Sequence, residues 1–165
     1  MKPRIFITSL ILAITFLIQS CGIGYAVRGT VKKTITVENK VVPENFIEDD
    51  QTLLILLWSK NSYDKYVIKA FDKFYMGNKE YVTINQYRNE EKYEDLDKYP
   101  FVFSQGPGAI EQYEGGNYSY VFSGSRPFHI FDRKEKTFYR SILNSGFFFR
   151  VMEAYAMRLE YYRLN

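Results

Sequence analysis

The chain has 165 residues and a formal net charge of +3, with 46% of its residues hydrophobic and 18% aromatic. That is enough chain for one domain with a real core, and the charge is too small for the basic footprint of a nucleic-acid binder. A single cysteine and a single histidine exclude an internal disulfide, a multi-thiolate metal site and a multi-histidine metal site.

The first element is MKPRIFITSLILAITFLIQSC. Lys2 and Arg4 form a short positive region, and Ile5 to Ile18 is an uncharged run broken only by Thr8, Ser9 and Thr15. Positive start, apolar core and a small residue before the cut are the layout of a secretory signal. The run has 14 residues, fewer than the roughly 20 a spanning helix needs. Ser20-Cys21 at its end resembles the lipobox of bacterial lipoproteins, with Ile18 where leucine is usual and Gln19 where a small residue is usual. The resemblance covers this segment alone. It implies cleavage before Cys21, lipidation of the Cys21 sulfur and acylation of the new amine, palmitate being the typical chain. Several acyl chains, at about 0.8 kcal/mol per buried methylene, would hold the protein on a membrane essentially permanently. An uncleaved signal anchor and an ordinary secretory signal are the competing readings. Gly22 follows the cysteine and GIGYAV carries no acidic cluster. By the sorting pattern of such lipoproteins this implies the outer membrane, facing the periplasm. A lipidated Cys21 also leaves the mature chain without a free thiol or a cysteine nucleophile. Loss of Lys2 and Arg4 with residues 1–20 lowers the net charge from +3 to +1.

The reading of the whole is a signal over 1–20, a lipidated N-terminus and tether over 21–50, and one globular domain over 51–165. Val27 to Val42 contains β-branched, partly alternating residues, so Thr30 to Val37 reads as an edge strand or an extended tether. Pro43 to Asn45 and Glu48 to Asp50 read as loop. Thr52 to Trp58, TLLILLW, is a continuous apolar run, as expected of a central strand buried on both faces. Ser59 to Ser62 is rich in capping residues, and Tyr63 to Tyr75 has helical periodicity. Tyr63, Tyr66, Val67, Ala70, Phe71 and Phe74 line one face of it. Ser62 is placed as N-cap, Asp64 in the first turn and Gly77 at the stop. Glu80 to Tyr87 reads as the next strand, which makes a parallel βαβ unit.

Arg88 to Tyr99 reads as a charged loop or short helix, Pro100 to Ser104 as a strand, and Gln105 to Asn117 as a Gly-containing loop. Tyr118 to Ser123 reads as a strand, and Phe128 to Asp132 with Thr137 to Ser141 as a hairpin. Phe147 to Tyr162 closes the chain as a helix with Phe148, Met152, Tyr155, Leu159 and Tyr162 on its apolar stripe. The expected class is α/β, with α+β open: a mixed sheet with one parallel βαβ unit, a β-meander and a C-terminal helix packed on the sheet. Fifteen tyrosines and fourteen phenylalanines against one tryptophan suggest a core packed with Tyr and Phe.

Ser59, Lys60, Asn61 and Ser62 lie after a strand and at a helix start, where open α/β sheets hold carboxylates or phosphates. The glycines of a phosphate-binding loop are missing there, so a plain helix cap is the competing reading. Tyr113, Asn117 and Tyr118, around the Gly-containing loop, are a candidate contact surface, with a simple connector as the competitor. His129 alternates with Phe128 and Ile130 in a strand, and no nucleophile elbow accompanies it. Glu90, Glu91, Glu94, Asp95 and Asp97 lack calcium-loop spacing and read as a solvated loop.

No catalytic residue, metal ligand or cofactor motif is assigned. The favoured function is a non-enzymatic, membrane-anchored envelope lipoprotein, a binding or structural component with an envelope protein partner and no nucleic acid. The alternatives are a small envelope enzyme, such as a hydrolase, with its site near Ser59 to Asp64, or a lipoprotein that binds a small ligand or glycan.

Overall fold

A computed structural model describes residues 24–48, 50–57, 61–105, 128–141 and 147–165. Its centre is a five-stranded mixed sheet, β1 (Leu53–Leu57), β2 (Lys79–Thr83), β3 (Phe101–Gln105), β4 (Phe128–Asp132) and β5 (Thr137–Arg140), in the order β2-β1-β3-β4-β5. β1 runs parallel to both neighbours, with Ile55 opposite Tyr81 and Phe103. β3, β4 and β5 are successively antiparallel. The fold is α/β, with the expected parallel β1–α2–β2 unit, α2 being the helix Asn61–Phe74. The strand expected over Tyr118 to Ser123 lies outside the described residues.

β1 behaves as TLLILLW requires. Leu53 and Ile55 enter the larger core on one face of the sheet, and Leu54 and Leu56 enter a second core on the other. All four are at most 1% exposed. The larger core lies between the sheet, α2, the C-terminal helix α4 (Phe148–Leu164) and an N-terminal segment. The smaller one is roofed by a short helix α3 (Ile84–Asn89) and a 3-10 turn (Glu91–Glu94), through Tyr87, Tyr93 and Tyr99. The core does use Tyr and Phe: Phe103 sits with its ring centroid 4.9 Å from Phe71 and 5.5 Å from Tyr155.

Thr30 to Val37 is neither edge strand nor tether. Residues 24–34 form a helix, α1, and Val31, Ile35, Val41, Val42, Phe46 and Ile47 are all core residues. Val27, Val31 and Ile35 are four residues apart, so a helix puts them on one face. β-branching costs a helix a few tenths of a kcal/mol per residue. Burying each of these side chains returns about 1.5–3 kcal/mol, so packing decides. The end of α1 is closed locally, because the Asn39 amide donates to the carbonyls of Lys33 (3.0 Å) and Thr34 (3.2 Å). The chain then turns through Lys40 at φ 54°.

The strand expected over Glu80 to Tyr87 ends at Thr83. Thr83 caps α3, with its hydroxyl accepting from Gln86 N and the Gln86 side chain accepting from Thr83 N. This is the reciprocal capping box of a T-x-x-Q segment, and it overrides the β-branched run before it. At α2 the helix already contains Asn61 and Ser62, so Ser62 lies in the first turn rather than at the cap. Several adjacent residues there have capping side chains, and sequence alone does not choose among them. The buried face of α2 is the expected one through Val67, Ala70, Phe71 and Phe74, but Tyr66 is exposed and Asp64 is buried.

Gly77 follows the end of α2, where the Met76 N–H donates to Glu160 of α4 at 2.9 Å. A Cβ at Gly77 would come within 2.5 Å of Arg163 Cδ and 2.8 Å of the Tyr75 hydroxyl. Tyr75 is fully buried, so its ring cannot swing aside. Gly77→Ala is expected to lower stability by about 1–3 kcal/mol through overpacking, measured by urea unfolding. A variant as stable as the parent would show that Arg163 moves freely.

Candidate functional site

Asp64, at the end of the Ser59 to Asp64 stretch, is described and buried, but the other side chains assigned from sequence to a site fall outside the described residues. That holds for Cys21, for Ser59 and Lys60, for the side chains of Asn61 and Ser62, and for Tyr113, Asn117 and Tyr118. The backbone of Asn61 and Ser62 is the start of α2. The site-like feature that the described residues do form comes from elements the sequence did not single out.

It is an open groove of about 320 Å³ between α1 and α4. Val31, Ala154 and Met157 supply its apolar lining, Arg28, Lys32 and Arg158 its charge, and Tyr161 completes it. The spacing explains the groove. Arg28 and Lys32 are one turn apart on α1, and Ala154, Met157, Arg158 and Tyr161 follow the i, i+3, i+4, i+7 rule on α4. α4 thus sends Ala154 into the core beside Val151, Met152, Tyr155 and Leu159, and turns Met157, Arg158 and Tyr161 to the groove. Arg158 is held in place: its Nε donates to Ile35 O at 2.9 Å and a terminal nitrogen donates to the Tyr162 hydroxyl at 2.8 Å. Its guanidinium carbon lies 4.5 Å from the ring centroids of both Tyr161 and Tyr162. Arg28 and Lys32 are exposed. All the charged side chains lining the groove are cationic.

A second cavity, of about 360 Å³, lies between residues 37–45 and the β4–β5 hairpin, with Glu44, Asp132 and Glu135 among its lining. Burial together with Asp132, Glu44 and Glu135 raises the Tyr139 hydroxyl above its ordinary value. Asp132 is committed to the turn, where Oδ1 accepts from the backbone N–H groups of Lys134 and Glu135. This acidic lining is hairpin chemistry, and among the described residues no group of three ligating side chains is arranged for a metal.

On the smaller core's side, Glu80 is the best-partnered carboxylate. Oε1 accepts from Lys92 Nζ and from the Tyr93 hydroxyl, each at 2.7 Å, and Oε2 accepts from the Tyr99 hydroxyl at 3.1 Å. Burial alone would raise its pKa, but the three donations outweigh that and hold it below the ordinary 4.5. The same contact and burial push Tyr93 up to about 12. A carboxyl depressed in the folded state adds stability above its unfolded value, and that stability is lost as pH falls through the folded one. Glu80→Gln is therefore expected to cost about 1 kcal/mol at pH 7 and to flatten the fall in stability below pH 4.5. Melting curves between neutral and acid pH test this, and an unchanged acid limb would refute it. The neighbouring acids are spent on local structure. Asp95 Oδ1 accepts from the N–H groups of Asp97 and Lys98, and Asp97 pairs with Lys134 at 2.7 Å.

His129 lies on β4 opposite Ser104 of β3. Both are buried, at 2% and 1% exposure. His129 packs edge-on to Phe138, and the Ser104 hydroxyl makes no hydrogen bond among the described residues. The two are not coupled as nucleophile and base. The tyrosines also form no flat platform among the described residues: the pairs Tyr93–Tyr99 and Tyr161–Tyr162 meet edge-on, at 69° and 81°. No family model matches this chain, and no curated protein or solved structure matches it either.

Proposed function

We propose that this chain is a lipid-anchored component of a bacterial cell envelope that acts by binding rather than by catalysis. It is held through acyl chains on Cys21, on the periplasmic face of the outer membrane, and works with an envelope protein partner. The observation that carries this reading is the order Lys2 and Arg4, the apolar run Ile5 to Ile18, then Ser20-Cys21. Two observations are consistent with it: Asp132 is committed to the β4–β5 turn, and Ser104 and His129 are buried with the Ser104 hydroxyl making no hydrogen bond to the imidazole.

The test is the intact mass of protein extracted from membranes, with and without Cys21→Ala. The expected parent lacks residues 1–20 and carries acyl chains, and the variant remains an unprocessed, unacylated precursor. Normal acyl labelling of the variant, or a mature chain that begins elsewhere, would overturn the anchor. Crosslinking in native cells followed by mass spectrometry tests the partner: a stoichiometric envelope protein is expected, and recovery of the chain alone would count against the binding role.

The strand order favours one second reading. β1 connects onward to β2 on one side, while β3 lies parallel on its other side. The carboxyl ends of β1 and β3 thus adjoin at the point where connections diverge, a usual ligand position in open α/β sheets. Residues 58–60 and 106–127, which follow these two strands, lie outside the described residues. A small-ligand or substrate site there predicts that Lys60→Ala removes a binding or hydrolytic activity found by screening. An activity that survives Lys60→Ala would refute that assignment.

A further inference from the structure

The groove between α1 and α4 belongs to a broader face with a consistent composition. Tyr25 precedes Arg28 by one turn on α1, and Leu164 follows Tyr161 by one turn on α4. Tyr25, Tyr161 and Leu164 are exposed by 74%, 49% and 65%. Such a surface, basic and aromatic around Met157 and over a buried floor of Val31 and Ala154, has the makeup of helices that lie in the interface of a membrane. Resting on the lipidation of Cys21, we propose that this face docks the domain onto an anionic phospholipid bilayer, with headgroup phosphates seated among Arg28, Lys32 and Arg158.

The tether makes this geometry hard to avoid. Three residues separate Cys21 from Tyr25, and the four chain steps between them span at most about 14 Å even when fully extended. With acyl chains in the hydrocarbon, the start of α1 is held at the headgroup layer, which is several Å thick on each side. Arg28 and Lys32 then follow at about 4.5 and 10.5 Å along the helix axis from Tyr25. Those distances are comparable to the Debye length of about 8 Å at physiological salt, so both charges feel the lipid surface. Among the described residues neither forms an ion pair that would compete. Arg158 is already fixed between Tyr161 and Tyr162, so seating a phosphate beside it orders little more. A second copy of the chain fits this face poorly, because an isologous contact would set Arg28, Lys32 and Arg158 against their own counterparts.

The test uses the full lipidated protein, purified from membranes and reconstituted into vesicles of phosphatidylcholine with or without one-third phosphatidylglycerol. Lipidation occupies the only native thiol, so Met157→Cys gives one labelling position in the groove. Asn85→Cys on α3 gives another on the opposite side of the sheet. Each carries an environment-sensitive fluorophore, and brominated phosphatidylcholine is the quencher. The expected result is strong quenching of the label at 157 in the anionic vesicles, weaker quenching in neutral ones, and little quenching at 85 in either. Arg28→Glu with Lys32→Glu changes two exposed residues, and an unchanged melting curve checks that the fold survives. At about fivefold for each positive charge lost at an anionic surface, the pair should lower the docked fraction ratio by at least about 25-fold, the added carboxylates lowering it further, while flotation with vesicles is retained. Flotation without quenching at 157 overturns the docking and leaves the anchor standing. Equal quenching at 157 and 85, quenching that survives the charge reversal, or a label at 157 buried in a dimer overturns the docking as well. Failure to float, with no acyl mass, overturns both.

Discussion

A chain that begins at Gln51 is expected to lose its cooperative fold. The segment before it contributes Val31, Ile35, Val41, Val42, Phe46 and Ile47, all 5% exposed or less, to the larger core. At about 1.5–3 kcal/mol each, their burial represents on the order of 10–15 kcal/mol of transfer free energy. That matches the whole net stability of a typical domain, about 5–15 kcal/mol. Removing the segment also releases the entropy of ordering it, which offsets part of the loss. The surfaces it leaves behind are not offset. Phe101 loses the Phe46 ring at 5.5 Å, Ala154 and Met157 lose Val31 across the groove, and Arg158 loses the Ile35 carbonyl. The expected 51–165 product has a broad melt and binds hydrophobic dyes. A sharp melt within a few degrees of the chain that starts after the signal would show that residues 24–48 are dispensable.

Phe103→Ala is expected to be the most damaging single core substitution. Phe103 is fully buried on β3, and its ring meets Phe71 at 4.9 Å, Tyr155 at 5.5 Å and Phe128 at 6.4 Å. It therefore joins the sheet to both α2 and α4. Truncation removes the transfer free energy of the ring and leaves a cavity whose walls are held by three separate elements, so the site collapses little. The cost should be about 3–5 kcal/mol, or about 10–15 °C in Tm for a domain of this size. Phe103→Leu should recover more than half of that. Met76→Ala, at a position 62% exposed, should change stability by less than about 0.5 kcal/mol. Calorimetry of the three variants decides it, and a loss below about 1 kcal/mol for Phe103→Ala would mean that the aromatic cluster repacks.

The parts of the fold legible in the sequence are those where local pattern and tertiary environment agree. TLLILLW reads as a central strand because a strand between two packed faces has no polar side to show, and β1 is such a strand. The hairpin of β4 and β5 was legible from two short aromatic runs around Arg133 to Lys136. The helical stretches α2 and α4 carry the period of 3.6. The boundary at Thr83 was also written in the residues, as Thr83-x-x-Gln86, but Tyr81, Val82 and Ile84 give the same stretch a strand-like composition. A cap acts over four residues and is easily masked by the propensity of its neighbours.

The groove was not legible, although Tyr25, Arg28 and Lys32 already stand at helical spacing. Val27, Thr30, Val31 and Thr34 favour strands locally, so α1 reads as extended unless its burial is known. Half of the groove then comes from α4, more than 120 positions later in the chain, where Met157 and Tyr161 look like a spill-over of the core stripe. Which side of a helix meets its neighbours depends on their placement, and Tyr66 on α2, expected on the buried face, is exposed for the same reason.

By itself the sequence determined the class of fold, the central strand, the parallel unit and the arrangement at the N-terminus that resembles a lipoprotein signal, because each is set by contiguous residues. Only the tertiary structure decided that the segment 24–47 packs into the core through Val31, Ile35, Val41, Val42, Phe46 and Ile47, that Glu80 ties Lys92, Tyr93 and Tyr99 to the sheet, and that Arg28, Lys32 and Arg158 share one face. Those are contacts between distant segments, and their free energy comes from burial and pairing that no local window of sequence contains.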